Sequence, residues 1–141
     1  MIQIIIFLIN CAWGIIQSFL GLLLFLCFIR RPHFWYKGSV VTVKTTLRKT
    51  KSKGGLCLGL FIFTAIEMDK EQVVSSSLVR HEYGHVLQSA FLGPLFLLII
   101  GIPSLTWARL FAGWRKKYNK DYCSFYTESW AEKWGKATRH R

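Results

Sequence analysis

Acidic residues are scarce in this sequence, and its few cysteines follow no regular spacing. Only 7 Asp and Glu residues stand against 19 Lys and Arg in 141 residues, so the formal net charge is +12. The cysteines form neither a C-x-x-C pair nor a zinc-ribbon pattern, which argues against a disulfide framework and against a ribbon. We interpret Cys11, Cys27, Cys57 and Cys123 as small buried apolar residues in a reducing compartment.

The excess of basic charge does not by itself indicate a nucleic-acid partner. A basic RNA-binding surface interleaves aromatic side chains with its Lys and Arg on a recognisable module. The most basic segment, residues 44–53, contains no aromatic residue. Attraction to anionic lipid headgroups, about 1 kcal/mol per basic residue near the surface, explains it better. We therefore expect membrane lipids, and no nucleic acid, as a partner.

Charge is missing altogether from the first 29 residues, in a chain that is 52% hydrophobic. Residues 2–29 are long enough to cross a hydrocarbon layer of about 30 Å. No basic residue precedes them and they are too long for the apolar part of a signal peptide, so we expect an uncleaved transmembrane anchor over residues 1–30. The basic residues from Arg30 onward place that side in the cytoplasm and the N-terminus outside.

A second apolar stretch, residues 94–112, is interrupted by Gly101 and Pro103. Each half is too short to span a bilayer. Arg109 and the basic residues after it belong on the same side as Arg30 under the positive-inside rule. We therefore expect a re-entrant or interfacial hairpin that turns near Gly101 and Pro103, with a conventional second span as the alternative.

One motif carries recognisable chemistry: His81-Glu82-Tyr83-Gly84-His85. Residues four apart share a helix face, so both imidazoles can reach one tetrahedral zinc while Glu82 holds the water that the metal acidifies. The serines at 75–77 and the pair Gly93-Pro94 predict where this helix begins and ends. Since Gly84 has no side chain, another backbone could pack close to it.

Two His leave a catalytic zinc site incomplete, because such a site usually has three protein ligands and one open position. No His follows within residues 88–94, but Glu128 and Glu132 lie four residues apart in an aromatic segment further on. Taken alone, these two acids are equally well explained as a solvated helix face paired with Lys133 and Lys136.

The motif followed by two acids at helical spacing resembles the gluzincin zinc metallopeptidases. That resemblance implies that Glu128 is the third zinc ligand and that Glu132 orients a ligand His. Gluzincins normally have Asp at the second position, so here the two roles could be exchanged. The motif also looks like the active helix of intramembrane site-2 proteases, but the Asp-Gly sequence that supplies their third ligand is absent here.

Residues 55–135 more closely resemble small bacterial membrane proteins of unassigned function that carry His-Glu-Tyr-Gly-His. The likeness includes Gly-Leu-Cys-Leu-Gly before the motif helix and Leu-Gly-Pro-Leu-Phe-Leu after it. It implies a bacterial inner membrane and supplies no substrate.

Two runs, residues 40–43 and 56–63, are rich in β-forming residues and flank a Lys, Ser and Gly turn at residues 51–55, which predicts a hairpin. In zincins the strand beside the active helix commonly binds substrate by extending the sheet. The resemblance therefore makes residues 56–64 the substrate strand, with Leu56, Leu58 and Leu60 as its candidate residues.

The sequence as a whole predicts an α+β membrane protein. Its expected order is a transmembrane helix, a short β-hairpin or sheet, the motif helix, a re-entrant or second membrane segment and a C-terminal helix. Residues 31–141 would form a minimal zincin-like catalytic domain. The predicted function is a membrane-embedded, zinc-dependent metallopeptidase that cleaves a peptide or protein at the cytoplasmic interface. The alternative is a non-catalytic membrane-anchored interaction or regulatory protein with a structural or vestigial zinc site.

Overall fold

A computed structural model describes residues 1–45 and 54–138 as an α+β fold, in agreement with the predicted class. Its α-helices are α1 (Ile2–Ala12), α2 (Ile15–Cys27), α3 (Lys70–Ser75), α4 (Ser77–Leu92), α5 (Ile102–Arg109), α6 (Ala112–Lys117) and α7 (Tyr126–Ala137). Its strands are β1 (His33–Tyr36), β2 (Ser39–Thr42), β3 (Gly55–Leu58) and β4 (Phe61–Thr64). Short 3-10 turns cover Gly93–Leu95 and Tyr122–Ser124, and a π-helical segment covers Leu97–Gly101.

The prediction of one continuous helix over residues 2–29 is wrong, because α1 and α2 meet at an angle of 92°. The polar residues inside this apolar run explain the break. Ser89 of α4 donates to Asn10 Oδ1 at 2.6 Å, and Gln17 Nε2 donates to Ser89 Oγ and to the Gly93 carbonyl, both at 2.9 Å. Asn10 and Gln17 are fully buried. The bend lets both side chains reach α4, where each finds hydrogen-bond partners that lipid would not supply.

Within the described ranges, no single helix is both long enough and apolar enough to cross a bilayer. Two helix pairs reach that length and composition only when they are joined across a sharp bend. One pair is α1 with α2, and the other is Ser77–Leu95 with Leu97–Arg109, bent by 118°. The membrane location and the outside N-terminus therefore stay predictions.

The predicted hairpin turn near Gly101 and Pro103 is wrong, because the bend of 118° lies before these residues, between Leu95 and Leu97. α4 ends at Gly93, whose φ of 54° lies in the left-handed region that glycine adopts without strain. The chain then runs helically through Gly101 into α5, which holds Pro103 in its first turn, where a missing backbone N–H costs nothing. The reversal thus lies near residues 93–96, one helical segment earlier than residues 101–103.

The predicted hairpin between residues 40–43 and 56–63 is also wrong, and part of its turn, residues 51–53, lies outside the described residues. The sheet order is β1-β2-β4-β3, with β2 and β4 parallel. Residues 56–63 form two strands, because Gly59 adopts a φ of 58° and reverses the chain within the run. Leu60 therefore lies buried in a turn, and not on a strand, while Leu56 and Leu58 belong to β3.

α4 lies at the centre of the molecule, between the sheet and α7. Its N-cap is Ser76, whose hydroxyl accepts from Val79 N, so the predicted bounds of the motif helix are confirmed. Val79, Tyr83 and Val86 on α4 are buried against the sheet residues Val41 and Ile62. This apolar contact fixes which face of α4 carries Glu82 and the two His.

The prediction that all four cysteines are buried is wrong for two of them. Cys57 on β3 is buried and Cys123 is partly buried, but Cys11 and Cys27 are exposed. Both exposed thiols lie on the outer faces of α1 and α2, which carry many exposed apolar side chains.

Candidate metal centre

Three side chains from two helices, His81 and His85 of α4 and Glu128 of α7, meet where these helices pack together. Oε2 of Glu128 lies 3.0 Å from Nε2 of His81 and 3.5 Å from Nε2 of His85. Glu128 is fully buried, and the two His are less than 10% exposed. One ligand atom from each residue lies within 4.8 Å of the others, so this group could hold a metal ion. Two imidazole nitrogens and a carboxylate oxygen are donors that divalent transition metals accept.

Small residues allow the two helices to come close enough for this convergence. A side chain at Gly84 would collide with the backbone carbonyl of Ala131, and one at Gly135 would collide with the carbonyl of Arg80. α7 therefore lies against the backbone of α4 along both contacts. Because Glu128 stands one helical turn before Ala131, the close approach brings its carboxylate to the imidazoles.

Each member of the group is held by a second polar partner. Glu132 Oε2 lies 3.0 Å from Nδ1 of His81, and Gln88 Oε1 lies 2.7 Å from Nδ1 of His85. Ser104 of α5 donates to Oε1 of Glu128. Metal-binding His residues usually donate their second nitrogen to such an acceptor, which fixes the ring and the tautomer.

The two glutamates occupy different positions, although the sequence left their roles interchangeable. Glu128 faces the Nε2 atoms of both imidazoles, so its oxygen can share a metal with them. Glu132 faces only the far side of His81 and also pairs with Lys136 Nζ at 2.9 Å. The geometry thus favours Glu128 as the ligand and Glu132 as the orienting group.

The charges in this cluster depend on one another. Burial alone would lower the pKa of His81, but the hydrogen bonds to Glu128 and Glu132 and the charge of Glu82 raise it to about 9. Burial would raise the pKa of Glu128, yet the hydrogen bonds from His81 and His85 hold it well below its usual value. Without a metal, the positively charged His81 therefore neutralises part of the negative charge of Glu128 and Glu132.

Glu82 lies on the same face of α4, at the junction of two cavities. A groove of about 820 Å³ contains Glu82, His81 and Glu132, and an apolar pocket of about 340 Å³ contains Glu82, His85 and Ser104. Glu82 is 5% exposed, and burial raises its pKa above the usual value for a carboxyl group. A carboxyl group with a raised pKa, set beside a candidate metal site and open to a groove, is suited to proton transfer.

Two of the three predicted substrate-strand residues line the cavities at this site. Leu56 lines both cavities and Leu58 lines the apolar pocket, whereas Leu60 lines neither. Among residues 1–45 and 54–138, β3 is an edge strand that pairs only with β4, and it packs against α4. An extended peptide laid along β3 would pass close to Glu82.

Sequence reasoning missed three residues that complete the site. Gln88 follows His85 by three positions on one helix face, so the spacing could have revealed it. Ser104 gave no signal, because it lies inside an apolar stretch whose path the sequence does not define. Tyr122 lines both cavities, and burial raises the pKa of its hydroxyl.

Comparison with protein-family models, with curated proteins and with solved structures found no match for this chain. The resemblance to gluzincins therefore depends on the sequence motif alone, and the structure adds a His and Glu cluster that could hold a metal ion.

Proposed function

We propose that the protein is a zinc-dependent metallopeptidase that hydrolyses peptide bonds at a membrane surface. The observation that carries the proposal is the meeting of Glu128 with both imidazoles of the His81–His85 motif, with Glu82 on the same helix face. Two His and one Glu are the ligands of a well-known class of catalytic zinc sites in peptidases, in which the fourth position stays open. The groove beside His81 gives that position access from outside.

The donor set fits zinc in its chemistry and in its supporting contacts. Nitrogen and carboxylate ligands suit Zn²⁺, and each candidate ligand here has a second partner that restrains it: Glu132, Gln88 and Ser104. Zinc at this position would polarise the scissile carbonyl and bring the pKa of bound water toward about 7.

The chain's own residues would carry out the remaining steps. The carboxylate of Glu82 accepts a proton from the attacking water and passes it to the leaving amine. Its raised pKa brings it closer to the working pH, which favours both transfers. The unpaired edge of β3 aligns the substrate backbone, and the apolar pocket receives a substrate side chain.

Exposed apolar surface supports a membrane location for this activity. The outer faces of α1 and α2 carry Leu8, Phe19 and Leu23, all 40–60% exposed. Basic residues follow α2 directly, at Arg30 and Arg31, and others lie in α6, at Arg115 to Lys117. An apolar surface bordered by positive charge suits a bilayer with anionic headgroups. We propose that the groove opens toward the cytoplasmic headgroups of an inner membrane.

The test uses full-length protein in lipid nanodiscs and a pool of fluorogenic peptides of mixed sequence. We expect about one zinc per chain, lost in His85→Ala and in Glu128→Ala, and peptide cleavage that stops when the metal is chelated. Glu82→Gln should retain zinc and lose at least about a hundredfold in rate, as expected for loss of a general base. Zinc-loaded wild-type protein that cleaves no faster than Glu82→Gln would refute the peptidase.

A non-catalytic protein is the second candidate, and one observation favours it. His81 lies between Glu128 and Glu132, 3.0 Å from each, so the cluster is a satisfied ion-pair network even without a metal. A purified protein that is metal-free, stable and unable to take up zinc would identify this network as structural.

A further inference from the structure

A second group of metal-binding atoms lies on the other side of His81. A ring nitrogen of His81, the thiol of Cys123 and a carboxylate oxygen of Glu132 all lie within 4.8 Å of one another. The nitrogen that faces Glu132 is Nδ1, at 3.0 Å. All three residues line the groove of about 820 Å³. Cys123 and Glu132 are partly exposed, whereas Glu128 of the first group is fully buried. An ion entering from the groove therefore meets the second group first.

The partners of His81 are alike on both sides of the ring. Nε2 lies 3.0 Å from Glu128 and Nδ1 lies 3.0 Å from Glu132. A neutral imidazole has one N–H and one free lone pair, so only one nitrogen can bind a metal at a time. With the proton on Nδ1, Glu132 accepts it and Nε2 is free; with the proton on Nε2, Glu128 accepts it and Nδ1 is free. Both tautomers are thus supported by a carboxylate.

We propose that His81, Cys123 and Glu132 form a second metal site, selective for soft divalent ions, whose occupation excludes metal from the His81, His85 and Glu128 group. A thiolate ligand favours thiophilic ions such as Cd²⁺ over harder ones. Binding releases two protons to solvent, the thiol proton of Cys123 and the Nδ1 proton of the positively charged His81, and leaves the Nε2 proton facing Glu128. Water in the groove completes the coordination.

Occupation of the second site would inhibit the proposed peptidase, although it involves neither Glu82, the proposed base, nor β3, the proposed substrate strand. Because His81 then points its N–H at Glu128, the first group keeps only His85 and Glu128 as ligands. The second site itself does not depend on peptidase activity, so its existence can be tested even if the proposed function fails.

The first experiment titrates reduced, metal-free, full-length protein in detergent micelles with Cd²⁺ and follows thiolate-to-cadmium absorption in the ultraviolet. The matched control is Cys11→Ser with Cys27→Ser, which removes the two exposed thiols and should keep the absorption of one thiolate. In this double variant, Cys123→Ser should lose it, while His85→Ala, which removes a ligand of the first site only, should keep it. Absence of the absorption in the double control variant would overturn the second site, whether or not Cys123→Ser folds.

The second experiment tests mutual exclusion with zinc-loaded protein and a dye that reports released zinc. In the double control variant, Cd²⁺ should displace zinc one for one, and the bound total should stay near one ion per chain. In Cys123→Ser the same displacement should require at least about tenfold more Cd²⁺, because only direct competition at the first site remains. Binding of zinc and Cd²⁺ together, at two ions per chain, would overturn the shared use of His81.

Discussion

Replacement of Gly84 by Ala tests whether the close approach of α4 and α7 builds the metal site. Gly84 lies inside α4, where Ala is favoured over Gly by about 1 kcal/mol on helix propensity alone. The added Cβ would, however, collide with the backbone carbonyl of Ala131. Overpacking of this kind costs about 1–3 kcal/mol, and a backbone atom cannot rotate away as a side chain can. We expect a net loss of up to about 2 kcal/mol of stability.

The same substitution should weaken metal binding, because relief of the collision must move α7 away from α4. Glu128 stands one turn before Ala131, so its Oε2 would leave the position that lies 3.0 Å from His81. Changes in the support of a ligand typically cost about 10–100-fold in metal affinity, and we expect a loss in this range. Zinc affinity is measured against a competing chelator, and stability by thermal unfolding in the same detergent.

Gly113→Ala provides the matched control. Gly113 lies in α6, and a Cβ built there meets no atom within 4 Å. This variant should gain up to about 1 kcal/mol and keep its zinc affinity. If Gly84→Ala is as stable as Gly113→Ala and binds zinc as tightly as the wild type, the argument from close helix packing is wrong.

Two further predictions concern the partners of the His side chains. Gln88→Ala removes the acceptor 2.7 Å from Nδ1 of His85, so zinc affinity should fall by about 10–100-fold. Gln88→Glu keeps an acceptor at this position and should retain most of the zinc affinity. Equal zinc affinities in the two variants would contradict this role of Gln88. In chelator-treated protein, the pKa of His81 is raised from 6.5 to about 9. The ion pairs of His81 should therefore stabilise the fold by about 3 kcal/mol at most. This stabilisation should be complete below pH 6.5 and should be lost as the pH rises through about 9. Zinc-loaded protein should not show this loss, because zinc binds the neutral imidazole. Unfolding curves of the zinc-loaded and the chelator-treated protein, measured from about pH 6 to about pH 10, test the difference.

The local parts of the fold were predictable from the sequence. The serines before the motif and the Gly93 after it act through bonds within a few residues, so the bounds of α4 followed from them. The spacing of Glu128 and Glu132 likewise indicated that both would lie on one face of a helix.

The remaining errors arose where distant residues decide the structure. The bend between α1 and α2 depends on the hydrogen bonds that join Asn10 and Gln17 to Ser89, more than 70 positions away. The parallel pairing of β2 with β4 is also non-local, and Gly59 was hidden inside an apolar run that looked like one strand. Ser104 reaches Glu128 only because the chain reverses near Gly93, which the sequence placed elsewhere.

Because Asn10 and Gln17 form hydrogen bonds with α4, the first 27 residues cannot be replaced by another apolar segment without the loss of these bonds. A generic hydrophobic leader of equal length would offer no amide to Ser89, and the buried hydroxyl of Ser89 would lose its partners Asn10 and Gln17. Expression of residues 28–141 alone would therefore remove contacts that support the helix carrying His81 and His85, and not merely a tether.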